Sequence, residues 1–237
     1  QYSWNGSDAQ LWRFVDAGDG KYYIQSKLGT VLDVTSASAA AGTNVQTYTF
    51  NQSTAQKWTL LETEKTLYSI MGKTNVSVSQ MVKFYKNKAT VSYPYSNVSE
   101  APTIEKFCQI YKEESEVEGV KAEVAFAQAM METGFLKFGG DVKKDQYNFA
   151  GIGAIGGGSS GAKFDSIRIG IRAHVQHLKA YASKEALKQP VVDPRFQYVK
   201  RGSAEYVQWL GQKENPNGYG WATAKNYGNN IVKLYIL

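Results

Sequence analysis

At 237 residues, 43% hydrophobic and 20% charged, the chain suits one large domain or a small one beside a medium one, and neither fraction indicates disorder or a fibrous class. The formal charge of +6 favours anionic partners, yet the basic residues are spread along the chain rather than gathered into a nucleic-acid-binding patch, so a solubilising surface is the simpler reading. The single cysteine, Cys108, excludes an internal disulfide and any C-x-x-C metal or redox motif.

The chain opens abruptly in a polar, Trp-containing segment, which leads us to expect a fragment of a longer protein. The lack of a signal peptide therefore leaves the compartment open. From Gln1 to about Glu62 short alternating runs are broken by Gly, Asn, Asp and Ser. "KYYIQSK", "TVLDV" and "NVQTYTF" read as strands, with "DAGDGK" and "AAAGTN" as turns. Gln10-x-Trp12 and Gln56-x-Trp58 stand 46 positions apart, the echo expected of a repeated supersecondary unit. Residues 63–102 read as a connector and N-terminal extension of the domain that follows, and include "VSVSQMVKFYKNK" and "YPYSNVSEAP".

After Pro102 the texture becomes helical. Thr103 is the expected N-cap of a helix in which Ile104, Phe107, Ile110 and Tyr111 recur at helical spacing, with Cys108 as a buried, inert thiol. "EVAFAQAMMETGF" predicts a second helix ending near Gly134. A third opens at Asp165 or Ser166 with Ile167, Ile171, Val175 and Leu178 as its buried stripe. "AEYVQWLG" and "GNNIVKLYIL" suggest two short ones. No apolar run is long enough to cross a bilayer, and His174 and His177 are too few for a metal site. The loop "GIGAIGGGSSG" matches a dinucleotide fingerprint at Gly151, Gly153 and Gly156. It lacks the flanking strand, helix and acidic ribose ligand that the chemistry needs, so it reads as a flexible or close-approach loop.

One residue of the second helix is out of character. Gln128 and Glu132 lie four apart on one face, with Ala125 and Ala129 leaving that surface shallow enough for a ligand, while Met130, Met131 and Phe135 surround the carboxyl with apolar atoms. Desolvation raises a carboxyl pKa, and a Glu kept protonated near neutral pH can act as a general acid. The competing reading is a helix-end Glu turned to water.

"VAFAQAMMETGF", then "NFAGIGA", then "GWATAKNYGNNI" together resemble the glucosaminidase family of peptidoglycan hydrolases, over about Tyr68 to the C-terminus. The resemblance implies a mainly α, lysozyme-like catalytic domain at 103–237. It also implies an endo-β-N-acetylglucosaminidase that cleaves the β-1,4 bond between N-acetylglucosamine and N-acetylmuramic acid. Glu132 is then the general acid. Asn148, Phe149 and Gly151 would line the sugar site, and Tyr227 would face the reacting sugar. Asp141 and Asp145 are nearby candidates for a second carboxylate, although an Asp beside Gly and Lys is usually a solvated turn residue. Substrate assistance, with the N-acetyl oxygen as nucleophile and Tyr227 orienting it, is the preferred alternative to Asp141. Among the aromatics, Tyr147, Tyr219 and Trp221 are candidates to stack on sugar, with core packing the default for Phe149. No cofactor or metal is called for. The expected partners are peptidoglycan strands, with neither nucleic acid nor membrane insertion, at a secreted or cell-wall location.

In residues 1–62 "VLDV", "NVQTY" and "AQKW" resemble the ricin-type β-trefoil lectin repeat, so the fold class expected is a partial, all-β trefoil followed by the α domain. Asp33, Gln46 and Tyr48 match that family's sugar ligands, which would add other cell-wall glycans as partners. Ala55 stands where an Asn ligand belongs. Gln10, Trp12, Gln56 and Trp58 match its structural positions. Two other functions compete: an adhesion protein with an inactive hydrolase domain, and a lysozyme-like muramidase or lytic transglycosylase.

Overall fold

The computed structural model describes residues 3, 5–60, 66–154, 158 and 160–236, so Gly156 of the glycine-rich loop lies outside the described residues. The chain divides into two compact units, Gln1–Thr66 and Leu67–Leu237.

The first unit is an antiparallel sheet of β1 (Trp12–Asp16), β2 (Lys21–Ser26), β3 (Val31–Val34), β4 (Val45–Tyr48) and β5 (Trp58–Thr59), in the order β1-β2-β3-β4 with β5 on β2. The sequence echo has a physical cause. Asn5 N–H donates to Gln10 Oε1 at 2.7 Å and Ser7 N–H to Asn5 Oδ1 at 3.0 Å. Asn51 N–H donates to Gln56 Oε1 at 2.9 Å and Ser53 N–H to Asn51 Oδ1 at 3.0 Å. Each Gln side chain thus closes the 3₁₀ turn that delivers the following Trp to the sheet. Few apolar groups are buried here, chiefly Tyr23 and Val31, whereas Trp12, Phe14, Tyr48 and Phe50 stay exposed.

The second unit is built on α1 (Val78–Lys88), α2 (Ile104–Glu118), α3 (Ala122–Thr133), α4 (Ile167–Ala182) and α5 (Tyr227–Ile236). The segment read as connector contains α1, whose Met81, Val82 and Tyr85 are core residues. It starts at a capping box in which Ser77 Oγ takes the Gln80 N–H and Gln80 Oε1 takes the Ser77 N–H. Thr103 and Ser166 cap α2 and α4 as expected. "AEYVQWLG" yields only a 3₁₀ turn, Val207–Leu210.

α3 is buried almost all round, from Ala122 to Met130, and so runs through the middle of the unit. This overturns the expected shallow ligand face: Ala125, Gln128 and Ala129 are each 0% exposed. Phe107, Tyr111, Phe126 and Phe149 interlock beside α3 at centroid distances of 5.1–5.6 Å. Gly170 allows a close approach: a Cβ there would sit 1.8 Å from the Tyr147 carbonyl oxygen, so only glycine lets α4 lie on the loop that follows residue 146.

Charges are also drawn inside. Lys179 Nζ meets Glu118 Oε2 at 2.9 Å with both side chains 0% exposed, and Glu118 accepts the N–H groups of Lys188 and Gln189 as well. Removing one member of such a pair strands the other, at about 3–5 kcal/mol. We expect Lys179→Met to lower stability by about that much in urea denaturation, and Lys179→Met with Glu118→Leu to recover most of the loss.

Candidate active site

Glu132 occupies the last turn of α3, one residue before the helix ends. Gly134 there adopts φ 58°, ψ 48°, and Phe135 N–H closes the end on the Met130 carbonyl at 2.8 Å. Phe135, Leu136 and Phe138 continue in left-handed conformations that non-glycine residues rarely adopt. The buried Leu136 and the Thr133 hydroxyl, which takes the Leu136 N–H at 3.0 Å, hold this tight segment. The chain turns sharply here, and Glu132 is left at the rim of a cavity of about 280 Å³ with Thr133, Phe138, Asp141, Asn148 and Gly151.

Asn148 builds the facing wall. Fully buried, it accepts the Ile152 N–H at 2.9 Å and donates from Nδ2 to the carbonyls of Ile152 and Ala162 at 2.9 and 3.1 Å. All its bonds go to backbone, so it shapes the turn and presents Gly151. A Cβ on Gly151 would lie 4.0 Å from Glu132 Oε2, which places that oxygen across from the turn. Gly151 and Ala154 also border a second cavity of about 230 Å³, lined by His177, Tyr181, Arg195, Tyr198 and Trp221. The two hollows therefore share the wall formed by the turn.

Behind Glu132 lies a chain of buried polar groups. Tyr227 hydroxyl donates to Glu132 Oε1, and Gln128 Nε2 donates to the Tyr227 oxygen at 2.8 Å. Gln128 Oε1 meets His174 Nε2 at 2.9 Å, and His174 Nδ1 meets the Tyr111 hydroxyl at 3.1 Å. Glu132 is an exposed residue that opens to the cavity, yet its carboxyl lies close enough to surrounding protein for desolvation to raise its pKa, while the Tyr227 hydrogen bond lowers it in part. Burial also drives the Tyr227 hydroxyl up, with the Glu132 charge adding to it.

Of the residues read from the sequence, Glu132, Asp141, Asn148 and Gly151 share one cavity, with Tyr227 and Gln128 directly behind it. Gln128 therefore reaches no ligand; it meets Tyr227 and His174. Phe149 is 0% exposed among Phe107 and Tyr111, and Tyr147 packs on Tyr95 at 5.8 Å. Trp221 lines the second cavity, its ring 4.7 Å from that of His177. Tyr219 is 41% exposed under Lys200 Nζ and lines neither hollow. His174 and Tyr111 were not singled out for the site. The available signal was a histidine on the otherwise apolar stripe of α4.

In the first unit Asp33 is buried. Its Oδ1 takes Gln46 Nε2 and its Oδ2 takes Gln56 Nε2, each at 3.1 Å, while Tyr48 stands 51% exposed on the same strand face as Gln46. Asp33 thus joins β3 to β4 and to the Gln56 turn. A shallow hollow of about 470 Å³ around Trp12, Arg13 and Gln25 has no carboxyl among its lining residues, and so no acid to protonate a leaving group.

His174 is fully enclosed, and burial holds its pKa at about 3, below the ordinary 6.5, so it is neutral in the folded protein. The unfolded chain takes up a proton below about pH 6.5 that the folded one refuses until about pH 3. The stability from this group is complete above 6.5 and drains away as pH falls through that window. His174→Gln should flatten the decline of melting temperature between pH 7 and 5, even if it lowers the plateau.

A family profile described as Mannosyl-glycoprotein endo-beta-N-acetylglucosaminidase matches residues 108–236, more than half of the chain, and one described as Ricin-type beta-trefoil lectin domain-like matches 8–91. The second match runs past the sheet into α1. An uncharacterized protein of Borreliella burgdorferi is 47% identical over 126 residues, which cover 53% of this chain and 58% of that protein; the chain thus spans well under two thirds of its relative's length. With the profile covering the helices that carry Glu132, His174 and Tyr227, the chain belongs to the glucosaminidase family of glycoside hydrolases, preceded by a ricin-type lectin-like segment.

Proposed function

We propose that this protein hydrolyses peptidoglycan at the β-1,4 bond between N-acetylglucosamine and N-acetylmuramic acid, with Glu132 as the general acid. The observation that carries this reading is a carboxyl whose pKa burial raises, at the edge of a cavity bounded by a turn that Asn148 holds open to Gly151. A glycosidic oxygen set in the cavity takes the Glu132 proton as the bond to C1 breaks, and positive charge develops at C1. The acetamido oxygen of the same sugar closes on C1 in place of a protein nucleophile. Water then adds at C1, giving its proton to the Glu132 carboxylate and restoring the acid. Glycan strands of this kind lie outside the cell membrane, so the proposed workplace is the cell wall.

Tyr227 enters this scheme differently from the expectation that it orients the acetamido group. It has one proton, which it donates to Glu132, and its oxygen already accepts from Gln128. It works through Glu132, tempering the rise in pKa that burial imposes.

Asp141 supports a second reading, because it lines the same cavity as Glu132. As the second carboxylate it would serve as base for water or as nucleophile. An adhesion protein with a dead hydrolase domain is disfavoured because a carboxyl held by the buried Tyr227 hydroxyl at a cavity rim is an arrangement that a pure binding function does not need.

Digestion of purified peptidoglycan, with the reducing ends identified by mass spectrometry, tests the proposal. N-acetylglucosamine ends are expected; muramic or anhydro-muramic ends indicate cleavage of the other linkage. Glu132→Gln should lower the rate by roughly 10²–10⁴-fold, and Asp141→Asn by less than about tenfold, a limit that corresponds to about 1.4 kcal/mol of barrier. A loss in Asp141→Asn as deep as in Glu132→Gln transfers the second role to Asp141. Activity should persist above the ordinary carboxylate range and fall as pH rises through the raised pKa of Glu132.

A further inference from the structure

The polar chain behind Glu132 can run in one direction at a time, and that direction decides where a proton on Glu132 resides. Gln128 presents its carbonyl oxygen to His174 and its amide nitrogen to Tyr227, so the donors can be followed atom by atom. An amide oxygen only accepts; His174 Nε2 must therefore carry a proton and donate it to Gln128. A neutral imidazole with its proton on Nε2 has a bare Nδ1, which accepts from the Tyr111 hydroxyl at 3.1 Å. Gln128 Nε2–H donates to the Tyr227 oxygen, leaving the Tyr227 proton directed at Glu132 Oε1. Oε1 is thereby committed as an acceptor, and a proton on Glu132 sits on Oε2, the oxygen opposite Gly151.

We infer that His174 and Gln128 are positioning residues that orient the Tyr227 hydroxyl and so hold the transferable proton of Glu132 on the cavity-facing Oε2. The reversed chain is equally well bonded on paper. In it Glu132 donates from Oε1 to Tyr227, Tyr227 to a turned Gln128 amide, Gln128 to His174 Nε2, and His174 Nδ1–H to Tyr111. That arrangement points the acid proton at the protein interior and away from substrate. The two differ in the His174 tautomer and in the turn of the Gln128 amide, and Tyr111, 0% exposed on α2, is the group that meets the far nitrogen of His174.

The ionisable neighbours are few. Glu132 meets Tyr227 from α5, and Asp141 from the loop after Phe138 lines the same cavity. Tyr227 has Tyr181 of α4 as its further neighbour. His174 has Tyr111 of α2 and, along its own helix, His177, whose Nδ1 is held by Asp193 at 2.7 Å.

The inference rests on Glu132 being the acid, and the test keeps the two apart. In His174→Phe the Gln128 amide is free to turn and accept the Tyr227 proton. Glu132 then loses the hydrogen bond that lowers its pKa, and the alkaline limb of the kcat/KM–pH profile moves to higher pH, as in Tyr227→Phe. Combining His174→Phe with Tyr227→Phe should add no further shift. Combining it with Gln128→Met, which removes the competing acceptor, should return the limb toward the wild-type position. A filler role for His174 predicts lower activity with the limb in place and no rescue, and that result overturns the inference. So does a wild-type His174 whose ¹⁵N shifts place its proton on Nδ1, a measurement that needs no variant to fold. If Glu132→Gln keeps full activity, the reading of the site itself fails, whatever His174 does.

Discussion

The site depends on a carboxyl that stands at an open rim on the end of a helix that otherwise runs through the core. α3 is buried on nearly all sides as far as Met130, and it brings Glu132 to the cavity at the end where the helix dipole is negative. Packing and dipole both disfavour a second negative charge there. Among the described residues, it is the Tyr227 hydrogen bond that favours the anion. For the proposed role as general acid, which requires a return to the protonated form at each turnover, the opposition of these effects matters more than either alone. Desolvation by itself would make Glu132 hold its proton too tightly, slow to give it to a leaving oxygen. A free hydrogen-bonded carboxylate at a surface would hold no proton at all near neutrality.

The same logic explains why so many polar side chains are tolerated inside the second unit. Gln128, His174, Asn148, Glu118 and Lys179 are buried, and each is hydrogen-bonded to at least one named partner. Satisfied networks of this kind add little net stability compared with apolar packing, but they admit few alternative arrangements. Asn148 ties the Gly151 turn at four backbone atoms, so the cavity wall is fixed independently of ligand. In the first unit Asp33 plays a comparable part, gathering Gln46 and Gln56 around a sheet that buries little apolar surface.

Much of this was legible in the residues. Thr103, Ser166 and Gly134 announced helix ends through capping chemistry, which is local and therefore readable. Glu132 stood out as an ionisable group in an apolar run. The turn geometry behind the Gln-x-Trp echo needed coordinates, because Asn5, Ser7 and their counterparts Asn51 and Ser53 act through side-chain to backbone bonds that no periodicity reveals. α1 was missed although Ser77 and Gln80 form a capping box, since its polar residues masked the Met81, Val82 and Tyr85 stripe. Gln128 was misplaced for a different reason. Four-residue spacing says which side chains share a face of α3, but not whether that face meets solvent, and here it meets α4 and α5 through His174 and Tyr227.

That misplacement carries the strongest argument about how the site is built. Had Gln128 faced substrate, the helix could have met its neighbours with apolar residues throughout, and His174 would be an unexplained polar group on the stripe of α4. With Gln128 inside, the two anomalies account for each other. An amide has one acceptor end and one donor end, so it can transmit the orientation of one neighbour to the next, which neither a hydroxyl that rotates nor a carboxylate that only accepts can do. A histidine beside it supplies a nitrogen that donates in one tautomer and accepts in the other. Placed in sequence between Tyr111 and Tyr227, these two side chains make a buried line that ends on the Glu132 carboxyl.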